Sequence, residues 1–148
     1  MEKTAVSNRK AYYHYHILES LEAGIELKGP EVKSLREGKA SLADSFARVD
    51  DGEIFLYNCY ISPYEFGNIA NVEPTRFRRL LLHKKQISRL AGQVSQKGMT
   101  LIPLKIYFKG GLAKVEIAVA KGKLLYDKRE TIKKRESNLE LRRALKKK

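Results

Sequence analysis

The chain of 148 residues is poor in the features that mark secreted and membrane-bound proteins. It has one cysteine, Cys59, which excludes a disulfide within the chain, so we expect the protein to work in the reducing cytoplasm. It has no run of about 18 apolar residues, which excludes a membrane-spanning helix, and its first residues lack the apolar core of a secretory signal. We therefore expect a cytoplasmic protein with no membrane contact.

The usual signatures of enzymes and metal sites are missing as well. The sequence contains no GxGxxG, Walker, HExxH or serine-elbow motif. The acids within residues 44–53 surround a predicted hairpin turn, where acids are common, and His14 and His16 have no metal-ligating partners nearby in the sequence. We expect no enzymatic activity, no cofactor, no metal ion and no small-molecule substrate.

Acidic residues are absent from residues 74–115, although this segment contains ten lysines and arginines. Residues 1–73 carry a net charge of −4, residues 121–148 carry +8, and the whole chain carries +13. A solvated surface usually mixes both signs, whereas basic charge clustered beside a foldable core is typical of nucleic-acid binding. The expected partner is therefore a polyanion such as RNA.

Hydrophobic periodicity predicts a chain made mainly of short strands. We expect two strands over residues 12–27, broken near Glu22–Gly24, one strand at 77–82, and hairpins at 45–61 and 101–120, after a flexible stretch at 1–11 and with a loop at 61–75. Residues 29–38 and 83–97 are predicted to be helices. This pattern favours a mainly β fold, an OB-like small β-barrel with two or three short helices.

The last 28 residues differ from the rest. Their residue types favour a helix, but Leu125, Ile132 and Leu139 recur every seven residues and form a stripe too narrow to pack against a core. We therefore divide the chain into a barrel domain, residues 1–122, and a basic tail, residues 123–148.

Two clusters are candidates for RNA contact from their residue types alone. The aromatic residues of segment 12–16 follow Arg9 and Lys10, so they can stack on unpaired bases, although half of such a strand would face the core. The arginines of segment 76–79 suit phosphate recognition, with a charged edge strand as the alternative.

Long collinear segments of the sequence resemble the small protein B (SmpB) family, the SsrA-binding proteins of bacteria. The segments are NRKAYYHYHILESLEAGIELKGPEVKSLREGKASLADSFARV, ISPYEFGN, EPTRFRRLLLHKK, KVEIAVAKGK and YDKRETIKKR. The resemblance implies an adaptor that binds the tRNA-like domain of tmRNA (SsrA RNA) and enters stalled ribosomes for trans-translation, the tagging of incomplete proteins. It also implies a tail that is disordered when free and becomes a helix on the ribosome, in the empty mRNA channel beside the decoding centre.

The resemblance and the basic clusters together give two sets of candidate residues. The predicted tmRNA-binding residues are Asn8, Arg9, Lys10, Tyr13, Glu22, Lys33, Arg36, Arg76, Arg78, Arg79, Leu82 and Lys114. The predicted contacts with small-subunit rRNA at the decoding centre and mRNA channel are Lys121, Lys123, Tyr126, Asp127, Lys128, Arg129, Lys133, Lys134 and Arg135. As an acid, Glu22 cannot attract phosphate, so it is expected to accept hydrogen bonds from base or 2′-OH groups, or to orient a nearby cation.

Composition alone also fits two other RNA-binding proteins. One is a ribosomal protein that binds rRNA constitutively, and the other is a general OB-fold protein that binds any single strand. Ligand preference separates them from the adaptor, which should favour the tRNA-like domain of tmRNA over both.

Overall fold

The computed structural model describes residues 2–64 and 72–123. In chain order these residues form β1 (Glu2–Ser7), α1 (Ala11–His14), β2 (Tyr15–Ile25), α2 (Gly29–Arg36), β3 (Ala40–Ser41), β4 (Phe46–Asp50), β5 (Glu53–Tyr57), β6 (Tyr60–Ile61), β7 (Arg78–Leu81), α3 (Lys84–Val94), β8 (Met99–Lys109) and β9 (Leu112–Gly122). The predicted tail contacts from Tyr126 onward lie outside the described residues, so the domain boundary after residue 122 stays a prediction.

Six antiparallel strands close into a ring in the order β8, β4, β5, β7, β2 and β9, with β9 pairing back to β8. The first half of β8 pairs with β4 through Ala47 and Leu101, and its second half pairs with β1, which lies outside the ring. Strands β3 and β6 form a separate small sheet. The predicted mainly β, OB-like barrel is therefore confirmed.

The barrel interior is filled by alternating apolar side chains, as the period of a strand requires. Ile54, Leu56 and Leu80 point inward with Val115 and Ile117, and each is at most 1% exposed. The core also receives Leu35 from α2 and Leu90 from α3, so both helices cover openings that the strands leave.

A second, smaller apolar cluster lies on the outer face of β8 and β9. It contains Ala118 and Ala120 of β9 with Ile102 and Leu104 of β8, and the short helix α1 covers it with Ala11. These two strands are therefore buried on both faces at this end, which explains their nearly continuous apolar sequence.

Several local predictions are confirmed at the level of single turns. The β4–β5 hairpin turns at Asp51 and Gly52, whose φ angles are 51° and 77°, as a two-residue hairpin loop of type I′ requires. Helix α2 begins around Pro30, and the backbone amide of Lys28 donates to the Glu31 carboxylate at 2.8 Å.

The N-terminal predictions are wrong in two respects. Residues 1–11 are not simply flexible, because Glu2–Ser7 form β1. Residues 12–27 are not two strands, because Ala11–His14 form a helical turn and β2 then runs unbroken from Tyr15 to Ile25. Gly24 does not interrupt β2; it admits the side chain of Leu81, whose Cβ lies 3.1 Å from where a glycine Cβ would stand.

Candidate nucleic-acid interface

Glu22 lies on the outer surface of the barrel, in β2 next to β9. Its Oε2 accepts a hydrogen bond from the Tyr107 hydroxyl at 2.5 Å, and the Lys109 ammonium lies 3.5 Å from the same oxygen. The hydrogen bond from Tyr107 is the main cause that lowers the pKa of Glu22; burial opposes it, and the charges of Lys109 and Lys114 lower the pKa further. The carboxylate is therefore ionised at neutral pH.

Tyr107 reaches Glu22 across a neighbouring strand. In the register of the sheet Tyr107 of β8 is opposite Lys114 of β9, which is opposite Gly24 of β2, so the phenol extends diagonally over β9. Its ring is only 4% exposed, and the Lys105 ammonium lies 5.0 Å from the ring centroid. Burial and the neighbouring Glu22 carboxylate raise the pKa of Tyr107, so it remains a donor.

The face around Tyr107 carries charges of both signs. Lys105 pairs with Glu2 at 2.9 Å and lies 3.8 Å from Glu116 of the adjacent strand. The face also carries the acid Glu22 and the bases Lys109 and Lys114. The face therefore differs from a uniformly basic patch. Its carboxylates can accept hydrogen bonds from donor groups of an RNA, and its lysines can bind phosphates.

The N-terminal residues predicted to bind RNA border a cleft of about 890 Å³ at one end of the barrel. Asn8 anchors this segment, since its side-chain amide donates to the Pro103 carbonyl at 3.0 Å and its backbone amide donates to Leu104 at 2.8 Å. Arg9 and Lys10 are exposed beside the cleft. Asn8 therefore fixes the backbone beside the two cations, and its side chain keeps a second N–H and the carbonyl oxygen for the predicted RNA contact.

The root of the tail borders the same cleft. The backbone amide of Lys123 donates to the carbonyl of His14 at 2.9 Å, and Lys121 is exposed at the end of β9. Tyr13 is half-buried in α1, and its ring packs edge-on against that of His14 with the ring centroids 4.9 Å apart. Residues predicted for tmRNA and for the ribosome thus meet at one end of the molecule.

The remaining candidates lie on three other elements. Lys33 and Arg36 are exposed on α2, with the Lys33 ammonium 5.3 Å from the Tyr64 ring centroid and the Arg36 guanidinium 4.7 Å from that of Phe108. Leu82 is half-buried and packs against the main core. Lys114 is half-buried beside Tyr107.

The predicted row of phosphate-binding arginines in β7 needs correction. Arg78 is 0% exposed; its guanidinium donates to Glu31 Oε2 at 2.6 Å and to the carbonyls of Cys59 at 2.6 Å and Pro74 at 3.0 Å. A buried group saturated by protein acceptors cannot contact RNA, so the prediction is wrong for Arg78.

The other two arginines of this segment also have acidic partners. Arg76 binds Glu31 through two nitrogens, at 3.1 and 2.5 Å. Arg79 is exposed but lies between Glu26 at 3.6 Å and Glu53 at 3.3 Å. Of the three arginines, only Arg79 therefore presents a largely exposed guanidinium, and its phosphate contact stays a prediction.

Sequence reasoning missed two features of the outer surface. The first is the set of Lys105, Tyr107 and Lys109, although their alternation with buried Ile106 and Phe108 is the strand signal that would have found it. The second is a row of rings on β4, on β5 and at the residue before β7. The ring centroids of Phe46 and Tyr57 are 5.3 Å apart and those of Tyr57 and Phe77 are 5.7 Å apart, both in stacked arrangements. Phe77 is 56% exposed.

Within residues 2–64 and 72–123, no cluster of three metal-ligating side chains occurs. No helix in this part of the chain is long and apolar enough to span a membrane.

Comparison with known proteins identifies a family. The SmpB protein family matches residues 5–147. An SsrA-binding protein of Caldicellulosiruptor bescii is 66% identical over 144 residues, covering 97% of this chain and 91% of the relative, and one of Carboxydothermus hydrogenoformans is 59% identical over 145 residues, covering 98% and 97%. A chain of a solved structure, "tmRNA-SmpB: a journey to the center of the bacterial ribosome", is 58% identical with a TM-score of 0.69, covering 80% of this chain and 84% of that one.

Proposed function

Since this chain belongs to the SmpB family of SsrA-binding proteins, we propose that it is the RNA-binding adaptor that delivers tmRNA to stalled ribosomes for trans-translation. The observation that carries the proposal is its 58% identity, with the same fold, to a chain of the tmRNA–SmpB structure. The proposal assigns the protein two RNA partners, tmRNA and the ribosome, no chemistry of its own, and a cytoplasmic site of action.

The proposal also divides the work between the two parts of the chain. The barrel binds the tRNA-like domain of tmRNA through the face that carries Glu22 and Lys114 and through the exposed cations Arg9 and Lys10. The tail, residues 123–148, enters the decoding centre and the empty mRNA channel. The strong positive charge of the tail supports this division, because rRNA that neutralises it releases counterions and offsets the entropy of ordering the segment.

Binding to defined RNAs tests both proposals. The full chain and a truncation ending at Gly122 are titrated with the tRNA-like domain of tmRNA, with elongator tRNA and a single-stranded RNA as competitors, over a salt series. We expect both proteins to bind the tRNA-like domain tightly in the presence of competitors, because the specific site lies on the barrel.

Two results would contradict the proposals. Equal affinity for the competitors, with a steep salt dependence and no specific remainder, would favour a constitutive rRNA-binding or general single-strand-binding protein. If only the truncation lost its preference for the tRNA-like domain over the competitors, the proposed adaptor function would stand. The tail would then be part of the primary tmRNA site, and the proposed division of work would be wrong.

A further inference from the structure

We propose that Tyr107 is a positioning residue of the tmRNA site. It fixes the Glu22 carboxylate so that the second oxygen, Oε1, accepts a hydrogen bond from a donor group of the RNA. The inference rests on the proposed function, since it assumes that the face of β2 and β9 contacts tmRNA, and it adds a residue and a recognised group to that face.

The geometry divides the two oxygens of Glu22 between the protein and its partner. Oε2 receives both the Tyr107 hydroxyl at 2.5 Å and the Lys109 ammonium at 3.5 Å. Neither contact involves Oε1, and the Glu22 side chain as a whole is 38% exposed, which leaves it accessible to an incoming donor. A carboxylate retains acceptor sites on both oxygens, so engaging Oε2 leaves the capacity of Oε1 intact.

Tyr107 is suited to holding Glu22 and unsuited to binding RNA itself. The residue is 4% exposed, and its hydroxyl donates to the Glu22 carboxylate. The ring is fixed by its place over β9 and by the Lys105 ammonium above it. A donor held this rigidly reduces the rotamer freedom that Glu22 would otherwise lose when it binds RNA.

Charge decides which RNA group Oε1 accepts. The three lysines of this face, Lys105, Lys109 and Lys114, attract the phosphate backbone, but the Glu22 carboxylate repels any phosphate that approaches it directly. Only a hydrogen-bond donor fits against Oε1. RNA offers three kinds, the ribose 2′-OH, the exocyclic amino groups of the bases and the imino N–H of unpaired guanine or uracil.

The test compares variants of the full chain in binding to the tRNA-like domain. Tyr107→Phe keeps the ring and removes only the hydroxyl, and Tyr60→Phe, at an exposed tyrosine on β6, is the matched control. We expect Tyr107→Phe to weaken binding by about two- to tenfold, because Glu22 must then lose its rotamer freedom when it binds RNA, and Tyr60→Phe to have no effect.

Three further readouts separate positioning from a structural role. The thermal midpoint of Tyr107→Phe should fall by only about 4–8 °C for the lost internal hydrogen bond, so the variant stays folded at about 25 °C. Its salt slope should be unchanged because no phosphate contact is removed. The double variant Tyr107→Phe/Glu22→Ala should bind no worse than Glu22→Ala alone, because the tyrosine acts only through the carboxylate.

Modified RNAs identify the donor group. Single 2′-deoxy substitutions test the ribose hydroxyl, inosine in place of guanosine tests the exocyclic amino group, and 1-methylguanosine or 3-methyluridine tests the imino group. One such substitution should weaken wild-type binding but leave Glu22→Ala binding unchanged.

The inference is overturned if Tyr107→Phe binds like the wild type, if its loss is additive with Glu22→Ala, or if a lower thermal midpoint accounts for the loss. It is also overturned if no modified RNA distinguishes the wild type from Glu22→Ala. If wild-type protein does not prefer the tRNA-like domain over elongator tRNA, the proposed function itself fails first.

Discussion

The guanidinium of Arg78 is the most instructive charged group in the barrel. It is fully buried and depends on Glu31, whose carboxylate also binds Arg76. Burial disfavours the ionised carboxyl, but hydrogen bonds from Arg76 and the Lys28 amide, with the charge of Arg78, keep the pKa of Glu31 below its ordinary value. These residues therefore form a charged unit inside the protein that holds α2, β7 and the β5–β6 connection together.

Removing the acid from this unit should be costly. We expect Glu31→Ala to lower the free energy of unfolding by about 3–5 kcal/mol, because it leaves the Arg78 guanidinium buried without its counter-ion. Urea unfolding followed by circular dichroism measures this. Arg79→Ala is the control: it breaks exposed ion pairs and should cost about 0–1 kcal/mol. Equal losses in both variants would show that the buried unit is not special.

The same residues show why the charge pattern along the sequence does not predict which arginines are available to phosphate. No acid occurs in residues 74–115, yet each arginine of segment 76–79 has an acidic partner from the first half of the chain. Charge segregation along the sequence does not survive folding when distant strands pair. Residue type and spacing identified the cations, but only the tertiary structure assigns their partners.

Among single elements, the sequence predicts correctly those helices and hairpins that are stabilised by interactions between residues close together in the chain. The β4–β5 and β8–β9 hairpins and helices α2 and α3 were predicted from turn residues, capping residues and periodicity. Strand β1 was missed because its polar sequence forms a strand only by pairing with β8, and α1 was missed because its four residues are stabilised by packing on β8 and β9. Both depend on contacts that lie far apart in the sequence.

The hairpin turn gives a direct test of a local signal. Gly52 has a φ of 77°, a conformation that disfavours any residue with a Cβ, whereas Gly29 in α2 has no positive φ and no atom within 4 Å of an added Cβ. We expect Gly52→Ala to lower the free energy of unfolding by about 1–2 kcal/mol and Gly29→Ala to leave it unchanged or slightly raise it. Urea unfolding of the two variants decides; a neutral Gly52→Ala would mean that the turn rearranges.

For the whole molecule, the ring order places functional surfaces on different sides. Strand β9 pairs with β2 and β8, and β5 pairs with β4 and β7, so β9 and β5 lie opposite each other in the ring of six. The face of Glu22 and Lys114 is therefore remote from the aromatic row of Phe46, Tyr57 and Phe77. The cleft at the root of the tail lies at one end of the barrel, beside α1.

Strand β9 carries Lys114 near its start and the root of the tail at its end, so tmRNA binding at the Glu22 face and ribosome engagement by the tail should be separable by mutation. Replacing Lys133, Lys134 and Arg135 with alanine should leave the affinity for the tRNA-like domain nearly intact and abolish tagging of stalled chains in a reconstituted translation assay. Alanine at the exposed Lys84, Lys85 and Lys97 removes the same charge from the barrel and should leave tagging intact. If the tail variant also lost tmRNA affinity, the proposed division of work would be wrong.

Cys59 has a practical consequence for studying this protein. The thiol is 0% exposed, and burial raises its pKa to about 11, so it is unreactive toward alkylating reagents while the barrel is closed. The chain has no second cysteine, so any thiol labelling occurs at Cys59. Because the backbone carbonyl of Cys59 accepts from Arg78, the rate of labelling reports how often the charged interior opens to water. The rate at which one label is added per chain, followed by mass spectrometry, would thus measure the rate at which the barrel opens, both in the free protein and in its complex with RNA.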